Sequence, residues 1–117
     1  MSASVYVTGT DTGIGKTHVS RILIERSRAR GVSTLGMKPV SSGCRLTAHG
    51  LRNDDAELLR AFGSVEAHHD DINPYAFEPP IAPHIAAREA AVSIDLMHID
   101  AAYRRLAAQA DAVIVEG

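Results

Sequence analysis

Short apolar runs alternate along this chain with segments of helical spacing. Val5, Tyr6 and Val7 suit a buried strand, and Val19, Ile22, Leu23 and Arg26 fall on one face of a helix. That helix should open near Lys16, run to about Arg30 and stop at Gly31. Val32 to Met37 reads as a second strand, ending at Lys38-Pro39. Strand, helix and strand make a βαβ unit, which implies a parallel sheet, a right-handed crossover and strand C-termini along one edge. From Lys38 the chain reads as loop through Ser41-Ser42-Gly43 and on to Leu51-Arg52-Asn53. Asn53 is then an N-cap, with Asp54 and Asp55 in the first turn of a short helix over Ala56 to Phe62. The proline-rich stretch from Asn73 to His84 predicts an ordered loop leading into a helix around Ile85 to Ala90, with Pro83 in its first turn. Leu96, Ile99, Tyr103, Leu106 and Ala110 form the apolar stripe of a longer helix, leaving Arg104 and Arg105 on a solvated face. Ala112 to Val115 predicts a buried parallel-type strand that ends in Glu116-Gly117.

The turn between the first strand and the first helix is Gly9-Thr10-Asp11-Thr12-Gly13-Ile14-Gly15-Lys16-Thr17. Glycines there let backbone N–H groups wrap an anionic oxygen, and the helix N-terminus adds the positive end of its dipole. Lys16 would reach the β- and γ-phosphates of a nucleotide, and the Thr17 hydroxyl would ligate Mg²⁺. The loop is one residue longer than the strict phosphate-loop pattern, because Thr10 stands where the first glycine belongs. Asp54 and Asp55 are both explained by capping, or one of them faces the metal. Glu116 at a strand tip suits a metal-side carboxylate once a phosphate loop is placed beside it. The expected fold class is therefore α/β: a P-loop NTPase-like three-layer fold with a mostly parallel sheet and helices on both faces.

Composition narrows the partners. The 117 residues are 45% hydrophobic and 22% charged with a net charge of -2, so neither disorder nor binding to nucleic acid or an anionic membrane is indicated. Phosphate binding must therefore be local. The single cysteine, Cys44, excludes an internal disulfide framework and reads as an ordinary free thiol in a loop. With no signal peptide and no long apolar run, a soluble cytoplasmic protein is expected. His68 and His69 lack zinc-type spacing and read as solvated loop residues, and His18, His49 and His98 carry no recognisable chemistry.

The segments Val7 to Thr17, Lys38-Pro39-Val40-Ser41-Ser42-Gly43, Leu51-Arg52-Asn53-Asp54-Asp55-Ala56, Asn73-Pro74-Tyr75, Pro83-His84 and Val115-Glu116-Gly117, in this order, closely resemble dethiobiotin synthetase along the whole chain. Lys-Pro-Val followed by Ser-Gly discriminates best, because a generic NTPase has no need of a second lysine there. The resemblance implies an ATP-dependent ligase of biotin synthesis that joins CO₂ to 7,8-diaminononanoate through a carbamate and its phosphoric anhydride. By match to the family motifs, Gly13, Ile14, Gly15, Lys16, Thr17, His18, Asp55, Glu116 and Gly117 serve ATP, and Thr17, Asp55 and Glu116 serve Mg²⁺. Lys38 is the main catalytic residue beside Lys16, while Thr12 and Ser42 contact the diamine or its carbamate. A homodimer with the substrate site near its interface is also implied.

Two departures from the family bear on this expectation. Some members carry an acidic residue where this chain has Gly13. Family chains are also longer, so a single P-loop domain over residues 1–117, incomplete at its C-terminus, is expected, with an exposed sheet edge and poor solubility if it stands alone. Partition-type ATPase switches are the main rival reading, but they usually carry a lysine where this chain has Asp11. Cobyrinate-type amidating synthetases would need a glutaminase domain, and a non-catalytic nucleotide-binding fragment is the third reading.

Overall fold

The computed structural model describes residues 3–8 and 14–117. Strand β1 (Ala3–Val7) leads to helix α1 (Ile14–Ala29) and strand β2 (Thr34–Met37). Gly31 takes φ of 76° after α1, the left-handed conformation that glycine adopts without a Cβ penalty, and ends the helix as its position predicts. Strand β3 (Val40–Ser41), the hairpin β4 (Arg45–Thr47) and β5 (Gly50–Arg52), and helices α2 (Asp54–Phe62) and α3 (His69–Ile72) follow. The chain closes with β6 (Tyr75–Ala76), α4 (Pro83–Glu89), α5 (Leu96–Gln109) and β7 (Ala112–Glu116).

The main sheet has the order β1-β7-β2, parallel throughout, so the last strand inserts between the two strands of the βαβ unit. Its alternating side chains build two cores. Val113 and Val115, with Leu35 and Met37 of β2, pack against Ala102 and Leu106 of α5 and Ile72 of α3. Ile114 and Val7 face Ile24 of α1 and Leu59 of α2. Helices therefore cover both faces and the expected three layers are present. Burying Leu35, Leu106 or Val113 completely stabilises the fold by roughly 1.5–3 kcal/mol each before entropy is counted. The outer strand β1 leaves Val5 and Tyr6 exposed.

Helix α2 approaches the sheet closely because Gly36 has no side chain. A Cβ at Gly36 would lie 2.8 Å from Cδ2 and 2.9 Å from Cβ of Leu59. Gly36→Ala would reduce unfolded-chain entropy, which stabilises by at most about 1 kcal/mol, but the clash near the Leu59 backbone costs about 1–3 kcal/mol and wins. A lower urea midpoint is expected; an unchanged midpoint would show that α2 shifts freely.

Several expectations are corrected. The stretch after Lys38 is not continuous loop: β4 and β5 pair antiparallel, and β3 pairs with β6 in parallel. Such strands of two or three residues carry too little periodicity to be read from sequence. Leu96 begins the apolar stripe of α5 yet is exposed, because the helix packs on the sheet through its later turns. Arg105 is not merely solvated, since its Nε donates to the buried Asp71 carboxylate at 2.7 Å and ties α5 to α3.

His68 is an exposed residue outside any helix, as expected, but His69 is not solvated loop. His68 caps α3, its Nδ1 accepting from the Asp70 N–H at 3.2 Å, while His69 is buried with Nδ1 3.4 Å from Glu57 Oε1. Burial, and then the Arg52 charge, push the His69 pKa below its ordinary 6.5, with Glu57 and Asp70 opposing. The folded chain thus keeps His69 neutral where the unfolded chain has begun to protonate. Its contribution to stability is present above about pH 6.5 and declines as pH falls toward the lower folded value. Replacing it, as in His69→Phe, should flatten the decline in urea midpoint between about pH 7.5 and 5.5. An equally steep decline in the variant would contradict this.

Candidate nucleotide and acid–lysine site

Because the three parallel strands share one direction and register, their C-terminal tips meet at one edge. Val7 is paired with Glu116 and Met37 with Val115, so Lys38 emerges beside Glu116. Gly117 N–H donates to the Val7 carbonyl at 3.0 Å, carrying the β1–β7 contact past the strand end. Helix α1 begins at Ile14, two residues earlier than its spacing suggests, which puts Gly15, Lys16 and Thr17 in the first turn. The N–H groups of a first helical turn have no partner within the helix. Thr12 and Gly13, with the rest of the glycine-rich turn from Gly9, lie outside the described residues.

Glu116 is the centre of the edge. Its side chain is fully buried, on the face of β7 that meets α1. Thr17 Oγ donates to Oε1 at 2.9 Å, and Ser20 Oγ, one turn further along α1, donates to Oε2 at 3.1 Å. Lys38 Nζ lies 3.6 Å from Oε1 and 4.0 Å from Asp55 Oδ2, with its side chain only 12% exposed. A buried carboxylate is tolerable only when paired and hydrogen-bonded, and here one oxygen meets a hydroxyl and an ammonium while the other meets a second hydroxyl. Lys16 takes a separate path, donating to the Gly117 carbonyl at 2.6 Å.

The two aspartates of α2 part company. Asn53 is the N-cap, its Oδ1 accepting from the Ala56 N–H at 3.0 Å. Asp54 turns outward to Arg45 at 2.7 Å, whereas Asp55, next in the same turn, faces Lys38. Ser42 is joined to this helix through its carbonyl, which accepts from the Asn53 amide at 3.4 Å. His18 is exposed on α1.

The donor set suits Mg²⁺. Two carboxylates and a hydroxyl are hard oxygen ligands, and Mg²⁺ takes a few of these together with phosphate oxygens and water. Thr17 can donate its proton to Glu116 while a lone pair remains for a cation. No cluster of three or more His, Cys, Asp or Glu able to hold a metal occurs among the described residues, so a cation here would depend on nucleotide oxygens.

Ser20 and Asn73 were not singled out as site residues by the sequence reasoning. Ser20 was legible in principle, since three residues after Thr17 on a helix is the same face. Asn73 was not, because its partners are backbone carbonyls brought together only by folding.

A parallel three-layer fold with a glycine-lysine-threonine helix start and an acid at the adjacent strand tip defines a P-loop α/β domain. The chain belongs to the AAA domain family, whose model matches residues 3–117. It is 52% identical over 115 residues to an ATP-dependent dethiobiotin synthetase of Xylella fastidiosa (strain 9a5c), covering 98% of this chain and 51% of that protein. An ATP-dependent dethiobiotin synthetase of Aeromonas salmonicida (strain A449) is 48% identical over 118 residues, covering 100% and 52%. The enzyme of that name from Xanthomonas oryzae pv. oryzae (strain PXO99A) is 49% identical over 112 residues, covering 96% and 50%. The resemblance drawn from the motifs is borne out. The chain spans about half the length of the curated relatives it matches. No helix among the described residues is long and apolar enough to cross a membrane.

Proposed function

We propose that this chain carries the nucleotide and carbamate side of a dethiobiotin synthetase, an ATP- and Mg²⁺-dependent ligase that closes the ureido ring of 7,8-diaminononanoate with CO₂. The observation that supports this best is the second lysine: Lys38 stands at a strand tip within ion-pair distance of Glu116 and beside the helix start that carries Lys16 and Thr17. Nucleotide hydrolysis alone gives no reason for that ammonium. Joining two anions, a carbamate and a triphosphate, does.

In the proposed reaction one amine of the substrate adds to CO₂ and loses a proton, forming a carbamate. A carbamate oxygen attacks the γ-phosphorus of ATP and ADP leaves. The second amine then attacks the carbamoyl carbon, phosphate leaves, and the five-membered ring closes. The protein supplies positioning and charge, with no covalent intermediate on a side chain. Lys16 and the first-turn amides of α1, from Ile14 to His18, hold the phosphates. Thr17, Asp55 and Glu116 would hold Mg²⁺, which supplies charge neutralisation at the phosphates when bound. Lys38 steadies the charge passing between carbamate and γ-phosphoryl oxygens, and Ser42, with Thr12, contacts the diamine or its carbamate.

The test is phosphate release from ATP by purified protein given magnesium, bicarbonate and the diamine, singly and together. Release that needs both diamine and bicarbonate supports the proposal. Diamine-independent hydrolysis would favour a partition-type ATPase switch, and nucleotide binding without turnover a non-catalytic fragment; either result overturns it.

A further inference from the structure

We propose that Asn73, with Ser41, is the positioning residue of Lys38; this deepens the reading above, on which it rests. The problem Asn73 solves arises from the end of β2. Sheet pairing with β7 stops at Met37, and Pro39 has no N–H to offer, so the backbone that carries the ammonium leaves the sheet at the point where its placement matters. The segment after α3 takes over. Lys38 N–H donates to the Ile72 carbonyl at 2.7 Å, and Asn73 Nδ2 donates to the Lys38 carbonyl at 2.7 Å, so both sides of the residue are held by consecutive residues of another element. The second Nδ2 hydrogen goes to the Tyr75 carbonyl at 3.1 Å, and Oδ1 accepts from Ser41 Oγ at 2.9 Å. Tyr75 N–H to the Pro39 carbonyl at 3.1 Å and Phe77 N–H to the Ser41 carbonyl at 2.8 Å complete the strap.

Asn73 is 3% exposed, so these bonds are made away from water. The residue type is dictated by their direction. Two donors meet two carbonyls and one acceptor meets a hydroxyl, a set that an amide supplies and that a carboxylate would oppose. Asn73→Asp would point negative charge at two carbonyl oxygens. The ammonium sits at the end of a four-carbon stem, so a backbone shift at Lys38 passes directly to Nζ, and a misplacement of about 1 Å at a reacting group costs on the order of 100-fold in rate.

The test is a double-mutant cycle in the full-length protein, reading kcat, KM for ATP and the melting temperature. Asn73→Ala should lower kcat about 10- to 100-fold with KM for ATP changed by less than about 3-fold, and in the Lys38→Ala background it should change the residual rate by less than about 3-fold. Ser41→Ala, which leaves both amide–carbonyl bonds in place, should show a smaller loss with the same non-additivity, and it decides the matter where Asn73→Ala does not fold. Equal losses in both backgrounds would mean that Asn73 only stabilises the fold, and would overturn the inference, as would an unchanged kcat in Asn73→Ala. If Lys38→Ala itself leaves turnover intact, the proposed function fails instead.

Discussion

Lys38→Ala is expected to lower kcat for diamine-dependent phosphate release by about 10²–10³-fold or more while leaving KM for ATP nearly unchanged. The expectation follows from the separation of the two lysines. Lys16 belongs to the first turn of α1 and reaches the Gly117 carbonyl, so it remains available to the phosphates when Lys38 is removed. Lys38 follows strand β2, is largely enclosed, and lies within ion-pair distance of Asp55 and Glu116. A preorganised charge in an enclosed site acts where charge moves during reaction, which is a loss in kcat rather than in binding. Lys38→Arg should not restore the rate, because a planar guanidinium cannot occupy the place of a compact ammonium 3.6 Å from Glu116 Oε1. A variant with raised KM for ATP and intact kcat would assign Lys38 to nucleotide binding and contradict the proposed chemistry.

Removing the acid should have a different signature, since Glu116 supports the fold as well as the site. Glu116→Ala leaves the enclosed Lys38 ammonium without its nearer partner and takes the carboxylate acceptor from the buried Thr17 hydroxyl, while Ser20 keeps only the Lys16 carbonyl. Breaking one side of a buried ion pair typically costs about 3–5 kcal/mol, and that is a large share of the stability of a chain this size. Glu116→Gln keeps the shape and one acceptor oxygen but loses the charge, so a smaller loss of about 1–3 kcal/mol is expected. Urea unfolding of the three proteins would rank them as wild type, Glu116→Gln, Glu116→Ala. Equal midpoints would show that water or relaxation satisfies the site, and that the burial of Glu116 carries little energy.

Much of this was legible in the chain because the information is local. Glycine at position 31, the spacing of α5, Asn53 as a cap and the apolar run of β7 each express a backbone or side-chain preference that needs no distant partner. The hairpin of β4 and β5, the burial of His69 and the ion pair of Arg105 with Asp71 were not legible. Each is a pairing between segments, and a sequence pattern shows which residues prefer burial but not which neighbour will bury them.

The same division runs through the site. By itself the sequence determined the parts: a phosphate-type turn ahead of Lys16 and Thr17, a lysine after the second strand, acids at Asp55 and Glu116, and an α/β frame to hold them. Only the tertiary structure decided their use. Had β1 and β2 been neighbours, the βαβ unit would still have formed, but the tip of β7 would not lie between those of the other two strands. Inserting β7 between them sets the register that brings Lys38 beside Glu116, turns α1 so that Thr17 and Ser20 both reach the carboxylate, and sends Asp54 outward while Asp55 faces in. Strand order is a choice among whole-chain packings, won by burying both faces of β7, and no single residue encodes it.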